Sequence, residues 1–514
     1  MAAEDQRAAI AYLTRPETHG GVPIERIDTH CSILVLVGNR AYKLKRAVRF
    51  SYLDYSTVAL RERACRAELA LNRRTAPELY LAVQAIARAP DGTLAFDGPG
   101  EVLDWVLVMR RFDEGGLFDR LAAAGRLTPA LMRDLADHIA EFHARAEIDR
   151  DAGGRAGMAR VVAGNGKNLA LRSPPLDASS VARLIERTDR ALANAGALLD
   201  RRRLAGRVRL CHGDLHLRNI CLVDGRPTLF DCIEFSRELA AIDLLYDVAF
   251  LLMDLEHRGL RALGNAVFNR YLDRAGDGGE AFAALPLFLS ARAAVRAHVE
   301  AAAGAAQASP GDVAGREAAS QAYLALASAL LDEASPQLIA VGGFSGTGKS
   351  TLAQGLAPAL GRAPGARVLR SDVLRKRLMG VAPETRLSPA AYAAEVTRRV
   401  YAALAEEARA TVVAGQSVVL DAVFAQPEER AAVAALAGET QVPFAGLWLE
   451  AAPVALETRI RSRGKDASDA TVEVLRRQLG YDTGTIDWLR VDASGDTAAT
   501  LARAQDTLAA TAPG

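Results

Sequence analysis

Eight consecutive residues, Gly343-Phe344-Ser345-Gly346-Thr347-Gly348-Lys349-Ser350, carry the clearest chemistry in the chain. They satisfy G-x-x-x-x-G-K-[ST], follow the apolar run LIAVGG and precede the helix-forming TLAQGLAPAL that begins at Thr351. The three glycines allow the N–H groups from Gly343 through Ser345, Thr347 and on to Thr351 to turn towards phosphate oxygens, and the helix start adds its dipole. Lys349 is then placed for the β and γ phosphates and Ser350 for Mg²⁺. Further on, Asp372 follows a second apolar run, and Arg375 stands one helical turn beyond it on the same face. Ligands gather at the carboxyl ends of strands in open α/β sheets. Asp372 therefore reads as a base for an acceptor hydroxyl, and Arg375 as a clamp for an anionic acceptor or the moving phosphoryl group. Capping of a helix is the competing reading of Asp372. Val418-Val419-Leu420-Asp421 is an apolar strand ending in a carboxylate, suited to the metal shell or the acceptor. Arg459, Arg461 and Arg463 suit either a lid over the transferred phosphate or a solvated basic helix end.

A second constellation lies in the first half. Residues 211–220 read CHGDLHLRNI, and Asp231 stands in TLFDCIEF. Asp214 and Asn219 keep the spacing of H-R-D-L-x-x-x-N, in which Asp takes the acceptor proton and Asn binds a metal, while a later Asp, here Asp231, holds Mg²⁺. His212 is expected to shape the loop, and His216 reads either as a substrate contact or as a hydrogen-bonded spacer. Glu234 would join the metal shell or pair with a cation, and Asp243 and Asp247 would fix the loop and the helix after it.

These groups need elements to carry them. Residues 32–45 predict two short strands turning at Gly38-Asn39, followed by a helix over 59–73, a strand pair within 82–96 and a strand over 102–109. After Phe112 the pattern is mostly helical, with Ala-rich helices over 287–302 and 314–331 and Asp312 placed to cap the second. The pattern changes near residue 335. Beyond it, strand-like runs at 338–343, 367–370, 417–420, 445–449 and 488–491 alternate with helices, as in a doubly wound parallel sheet. The domains expected are 1–334, with a small lobe over about 1–110 and a helical lobe over about 111–334, and 335–514.

The totals bound the partners. At about 150 residues per domain, 514 residues hold two or three domains. Lys+Arg 63 against Asp+Glu 62 leaves +1, which disfavours bulk coating of nucleic acid. Half the residues are hydrophobic, which excludes disorder as the main state. The longest apolar candidate, 244–255, is broken by Asp247 and Asp254, and the acidic N-terminus lacks a secretory pattern, so a cytoplasmic protein without a membrane partner is expected. Five cysteines without a C-x-x-C pair read as reduced thiols.

The S-D-x-x-R, V-V-L-D-A and R-x-R-x-R patterns make residues 336–510 resemble P-loop small-molecule kinases, the group of gluconate kinase, zeta toxins and polynucleotide 5′-kinases. The 212–231 constellation resembles the aminoglycoside and choline phosphotransferases, whose core is protein-kinase-like and bilobal, over about residues 25–305. That resemblance makes Asp214 the base and Asn219 and Asp231 the metal ligands. It also makes Lys43 the phosphate-holding lysine with Glu68 as its helix partner, Lys45 being the alternative, and places Met109-Arg110-Arg111 at the adenine hinge. There is no G-x-G-x-x-G between the first strands, and no room for a segment ending in A-P-E, which favours a small acceptor over a protein. The fold class expected is α/β and α+β in two domains, a protein-kinase-like bilobal fold followed by a P-loop NTPase sheet. The function implied is ATP- and Mg²⁺-dependent phosphoryl transfer to small-molecule hydroxyls at two sites. The alternatives are a polynucleotide 5′-hydroxyl kinase in the C-terminal half, a pseudokinase regulating a P-loop ATPase, and an ATP-driven switch.

Overall fold

The structure, a computed structural model, describes residues 5–50, 53–172, 175–305, 310–462 and 467–511. Packing divides the chain into two compact units, residues 1–157 with 200–251, and residues 158–199 with 252–514.

In the first unit, β1 (Ile24–Asp28), β2 (Ser32–Val37) and β3 (Arg40–Lys45) form an antiparallel meander, and Gly38 supplies the positive φ of the tight β2–β3 turn. After the two-residue strands β4 (Arg49–Phe50) and β5 (Leu53–Asp54), β6 (Tyr80–Arg88), β7 (Leu94–Phe96) and β8 (Glu101–Arg110) complete a sheet of order β1-β2-β3-β8-β6-β7. Strand alternation sorts its residues. Val35, Leu44, Val106 and Val108 pack beneath the helix Arg7–Leu13, and Leu36, Leu107 and Met109 line the other face with Ala41. Lys43 and Lys45 share that second face with Ala41, towards the helix Val58–Asn72, which Thr57 caps. The mostly helical remainder carries β9 (Val208–Leu210), the hairpin β10 (Ile220–Val223)/β11 (Arg226–Leu229) and β12 (Ala241–Asp243).

In the second unit, β13 (Leu338–Gly342), β14 (Arg367–Arg370), β15 (Val418–Asp421), β16 (Phe444–Glu450) and β17 (Leu489–Asp492) form an all-parallel sheet of order β14-β15-β13-β16-β17. Both faces are covered. Ala340, Leu404, Leu420 and Trp448 belong to one core, and Val341, Leu352, Val419 and Leu447 to the other, as expected of near-continuous apolar strands. The edge strand β14 is sealed by the helix Arg261–Ala275, which lies before residue 335. Asn269 accepts the Val368 N–H at 2.7 Å and donates to Ala366 O at 3.1 Å, while Asn265 donates to Ala366 O and Pro364 O and Asp273 pairs with Arg367 at 2.6 Å. These side chains take the place of a neighbouring strand.

Two expectations need correction. Among the described residues, the helix long and apolar enough to cross a membrane is Gly279–Gly304, not 244–255. Two-thirds of its apolar window (67%) is buried, and it packs on the helix Pro310–Ala329 through Ser290 Oγ to Ala327 O and Ser320 Oγ to Ala297 O. Asp312 lies inside the first turn of that second helix, where its charge favours the dipole, rather than at the cap.

Candidate functional sites

The kinase-like site is built on Lys43. Its Nζ donates to Glu68 Oε1 at 2.8 Å and to Asp231 Oδ1 at 2.7 Å, joining a strand, a helix and the loop after β11. Lys45, two residues on and nearly fully buried, bonds Glu68 Oε2 and Glu234 Oε1, both at 2.6 Å, and Tyr55 OH at 3.2 Å. Burial works against the charges of Lys43, Lys45 and Glu68. The Asp231 and Glu68 carboxylates nevertheless raise the Lys43 ammonium well above its ordinary value, and the two ammoniums hold the Glu68 carboxyl well below its own. Of the two lysines, Lys43 keeps the more exposed side chain, 17% against 2%. It is Lys43 that bonds Asp231, while Lys45 bonds Glu234.

Asp231 takes a left-handed φ of +60°, unusual for a residue with a side chain, and its N–H is held by Tyr80 OH at 3.0 Å. The next N–H, of Cys232, donates to Asn72 Oδ1 at 2.9 Å. The β10–β11 register sets Phe230 N–H on Asn219 O at 3.0 Å, which brings Asn219 beside the Asp231 segment. The Asn219 amide donates to Asp214 Oδ2 at 2.9 Å and to Asp214 O at 2.9 Å, fixing the orientation of the Asp214 carboxylate. Behind the loop, the buried Asp247 accepts His212 N–H, Gly213 N–H and His143 Nε2 at 2.8–3.1 Å. Burial depresses the basicity of His212. A neutral ring bonding Phe230 O through Nε2 at 2.9 Å and accepting Asp214 N–H on Nδ1 at 3.3 Å accounts for both contacts. Met109 lies 7% exposed opposite Ala41 and Tyr80, where β8 leaves the sheet.

The second site lies at the carboxyl edge of the parallel sheet. Gly343, Gly346 and Gly348 all have positive φ, and a Cβ on Gly346 would sit 2.7 Å from Leu456 O. The helix Lys349–Leu356 starts here. Its first internal bond, Leu352 N–H to Gly348 O, leaves the N–H groups of Lys349, Ser350 and Thr351 ahead of the helical ladder. Thr347 Oγ1 and Lys349 Nζ both donate to Phe344 O, at 2.8 and 3.0 Å, and Ser345 N–H donates to Gln478 Oε1 at 2.8 Å.

Arg370, the last residue of β14, stands opposite Asp421 in the ladder. Its Nε lies 3.2 Å from Asp421 Oδ2 and its Nη2 3.1 Å from Ser350 Oγ. Burial raises the Asp372 carboxyl above its ordinary value and nearby Asp421 adds to the effect, against the opposing pull of Arg370, a hydrogen bond from Ser468, and Lys349. Lys349, Ser350, Asp372 and Asp421 thus share one small electrostatic neighbourhood.

Other predicted residues are placed elsewhere. Arg375 is buried, donates to Ala391 O at 2.7 Å and stacks over Tyr392 at 4.7 Å, tying down the segment after its helix. Arg459 donates to Gly495 O at 2.9 Å, and Arg461 pairs with Glu457. Arg463 lies outside the described residues. Sequence reasoning passed over Arg370, Gln478, Asn72 and Tyr80. It also passed over Asp469, which binds Lys376 Nζ, Leu387 N–H and Tyr392 OH at 2.7–3.1 Å. Only Arg370, next to the Ser371-Asp372 pair, had a local signal that could have found it.

Comparisons with known proteins match a separate family model to each of the two sites. Residues 37–288 match the phosphotransferase enzyme family, and residues 338–482 match an AAA domain. The uncharacterized proteins Rv2004c of Mycobacterium tuberculosis and Mb2027c of Mycobacterium bovis are each 35% identical over 357 residues, 68% of this chain and 68% of theirs. Among solved structures, a choline/ethanolamine kinase family protein from Mesorhizobium loti aligns with 62% of this chain and 98% of its own at 14% identity and a TM-score of 0.37. A gluconokinase from Sinorhizobium meliloti aligns with 34% of this chain and 93% of its own at 22% identity and a TM-score of 0.25.

Proposed function

Because the chain belongs to the phosphotransferase enzyme family over residues 37–288 and carries a P-loop kinase-type AAA domain over 338–482, a kinase-type phosphotransferase, we propose that it performs two ATP-dependent transfers to hydroxyl groups of small molecules, one at each site. The observation that carries the reading is Lys43, whose ammonium joins Glu68 to Asp231 beside an intact Asp214–Asn219 loop. That arrangement supports a working site over a fold kept only as a scaffold.

At the first site, Lys43 holds the α and β phosphates and Asp214 receives the acceptor proton as the hydroxyl oxygen bonds to the γ-phosphorus and the bond to the β–γ bridging oxygen breaks. ADP leaves. At the second site, the glycine-rich loop and Lys349 cradle the phosphates and Asp372 receives the proton. The oxygen donors Asn219 and Asp231, and Ser350 with Asp421, suit a hard cation, and they would hold Mg²⁺. Bound with the nucleotide, Mg²⁺ would neutralise phosphate charge. Met109 and the residues after it would border the adenine.

Titration calorimetry with ATP and Mg²⁺ on the wild type, Lys349→Ala and Asp231→Ala tests this. Two sites are expected, each lost with its own substitution, and a single site overturns the bifunctional form. Asp214→Asn is expected to abolish transfer at the first site while leaving nucleotide binding, and unchanged phosphoryl transfer would make that half a regulator.

A further inference from the structure

The P-loop site contains a positive charge that neither its motif nor the reaction above employs. Arg370 occupies the two side-chain oxygens that a cation would take there, Ser350 Oγ at 3.1 Å and Asp421 Oδ2 at 3.2 Å. The β14–β15 register makes this position a consequence of the fold, since Arg370 and Asp421 are ladder partners at the carboxyl ends of neighbouring strands. Its side chain is 11% exposed and that of Asp421 6% exposed, so the attraction between them is only weakly screened.

We propose that Arg370 closes this metal site to a bare divalent cation, so that the metal enters only together with the nucleotide. The proposal rests on the reading of the P-loop site given above. Arg370 and Lys349 balance Asp372 and Asp421, leaving the four groups neutral in sum. A lone divalent ion would add two positive charges to a site already holding a guanidinium, and would have to take Ser350 and Asp421 from it. A nucleotide triphosphate brings negative charge with the metal. It also offers phosphate oxygens on which the planar guanidinium, with its five N–H donors, is rehoused. Arg370 thereby passes from the serine and aspartate to the phosphates and becomes a phosphate contact in the loaded site. Lysine would keep the charge but lose the fork that spans two oxygens at once.

The test uses the full chain with Asp231→Asn and Asn219→Ala introduced to silence the first site, and Mn²⁺ as the probe, with ion retained on the protein measured by electron paramagnetic resonance after separation from free ion and free ion–nucleotide complex. In this background Mn²⁺ uptake is expected only when a non-hydrolysable ATP analogue is added, and Lys349→Ala is expected to abolish it. Adding Arg370→Gln or Arg370→Met is expected to give uptake without nucleotide, tightened by roughly tenfold or more because an adjacent positive charge has been removed from a poorly screened site. Arg370→Lys, which keeps that charge, is expected to stay nucleotide-dependent. Equal nucleotide-free affinity with and without Arg370 overturns this role and leaves the P-loop reading standing. Absence of analogue-dependent uptake in the parent overturns both.

Discussion

Two lysines two residues apart on one strand face have separate tasks, and substitution should part them. Lys45 is the buried strut between Glu68 and Glu234. Lys45→Met leaves buried carboxylate underpaired and should cost about 3 kcal/mol of stability, read by chemical denaturation. Lys43→Met should cost less stability but remove transfer at the first site. Asp372 offers a pH test. Its carboxyl is raised above 3.8, chiefly by burial, so transfer at the second site should fail on acidification at a pH above that of an ordinary aspartate. The sign for stability is opposite. Between 3.8 and the raised value the folded chain holds the extra proton, so stability declines as pH rises through that window. Asp372→Asn should therefore raise the melting temperature at neutral pH while reducing transfer there by about a hundredfold or more. The motif residues were legible because their chemistry is written in short spacings. Arg370 had only its neighbours Ser371 and Asp372 to mark it, since its partners are set by strand register, and Asp469 had no mark, because its partners lie 77–93 residues earlier in the chain.

At the level of elements, periodicity located what local pattern determines. The strand at 367–370 lies where the sequence puts it, and the helix Val58–Asn72 and the remaining parallel strands differ by one residue at their ends. The strand β1 was missed because IERID is short and polar at three of five positions. The sealing of β14 was also invisible, since an asparagine in the middle of a helix has no pattern that marks it as the surrogate for a strand. Asn269→Leu should leave the Val368 N–H without its acceptor at a buried edge and Ala366 O with Asn265 as its remaining side-chain donor, costing about 1–3 kcal/mol, measured by thermal or urea unfolding. Asn269→Asp, which keeps the acceptor for Val368 but loses the donor, should fall between the two.

For the whole molecule, the change of pattern near residue 335 is a boundary of chemistry more than of packing. Residues 252–334 fold in one unit with the parallel sheet, and Gly279 approaches the helix Ala394–Val413 so closely that a Cβ would lie 2.6 Å from Thr411 N. Arg362 reaches Phe282 O at 2.8 Å across the same contact. Separate expression of residues 1–334 and 335–514 should therefore give a C-terminal piece with a melting temperature several degrees below that of the same sheet in the full chain, seen by calorimetry. Gly279→Val should reproduce part of that loss without any cut. Sequence patterning could not foresee this, because hydrophobic periodicity shows that a helix face is covered without showing which partner covers it.

The asparagines and the aspartate along the helix Arg261–Ala275 carry a historical implication. That helix falls within the stretch matched to the phosphotransferases, yet it finishes the margin of the other catalyst. Drift in the first gene segment is thus policed by the folding needs of the second, and a lineage that discarded either half would have to redesign the survivor's flank.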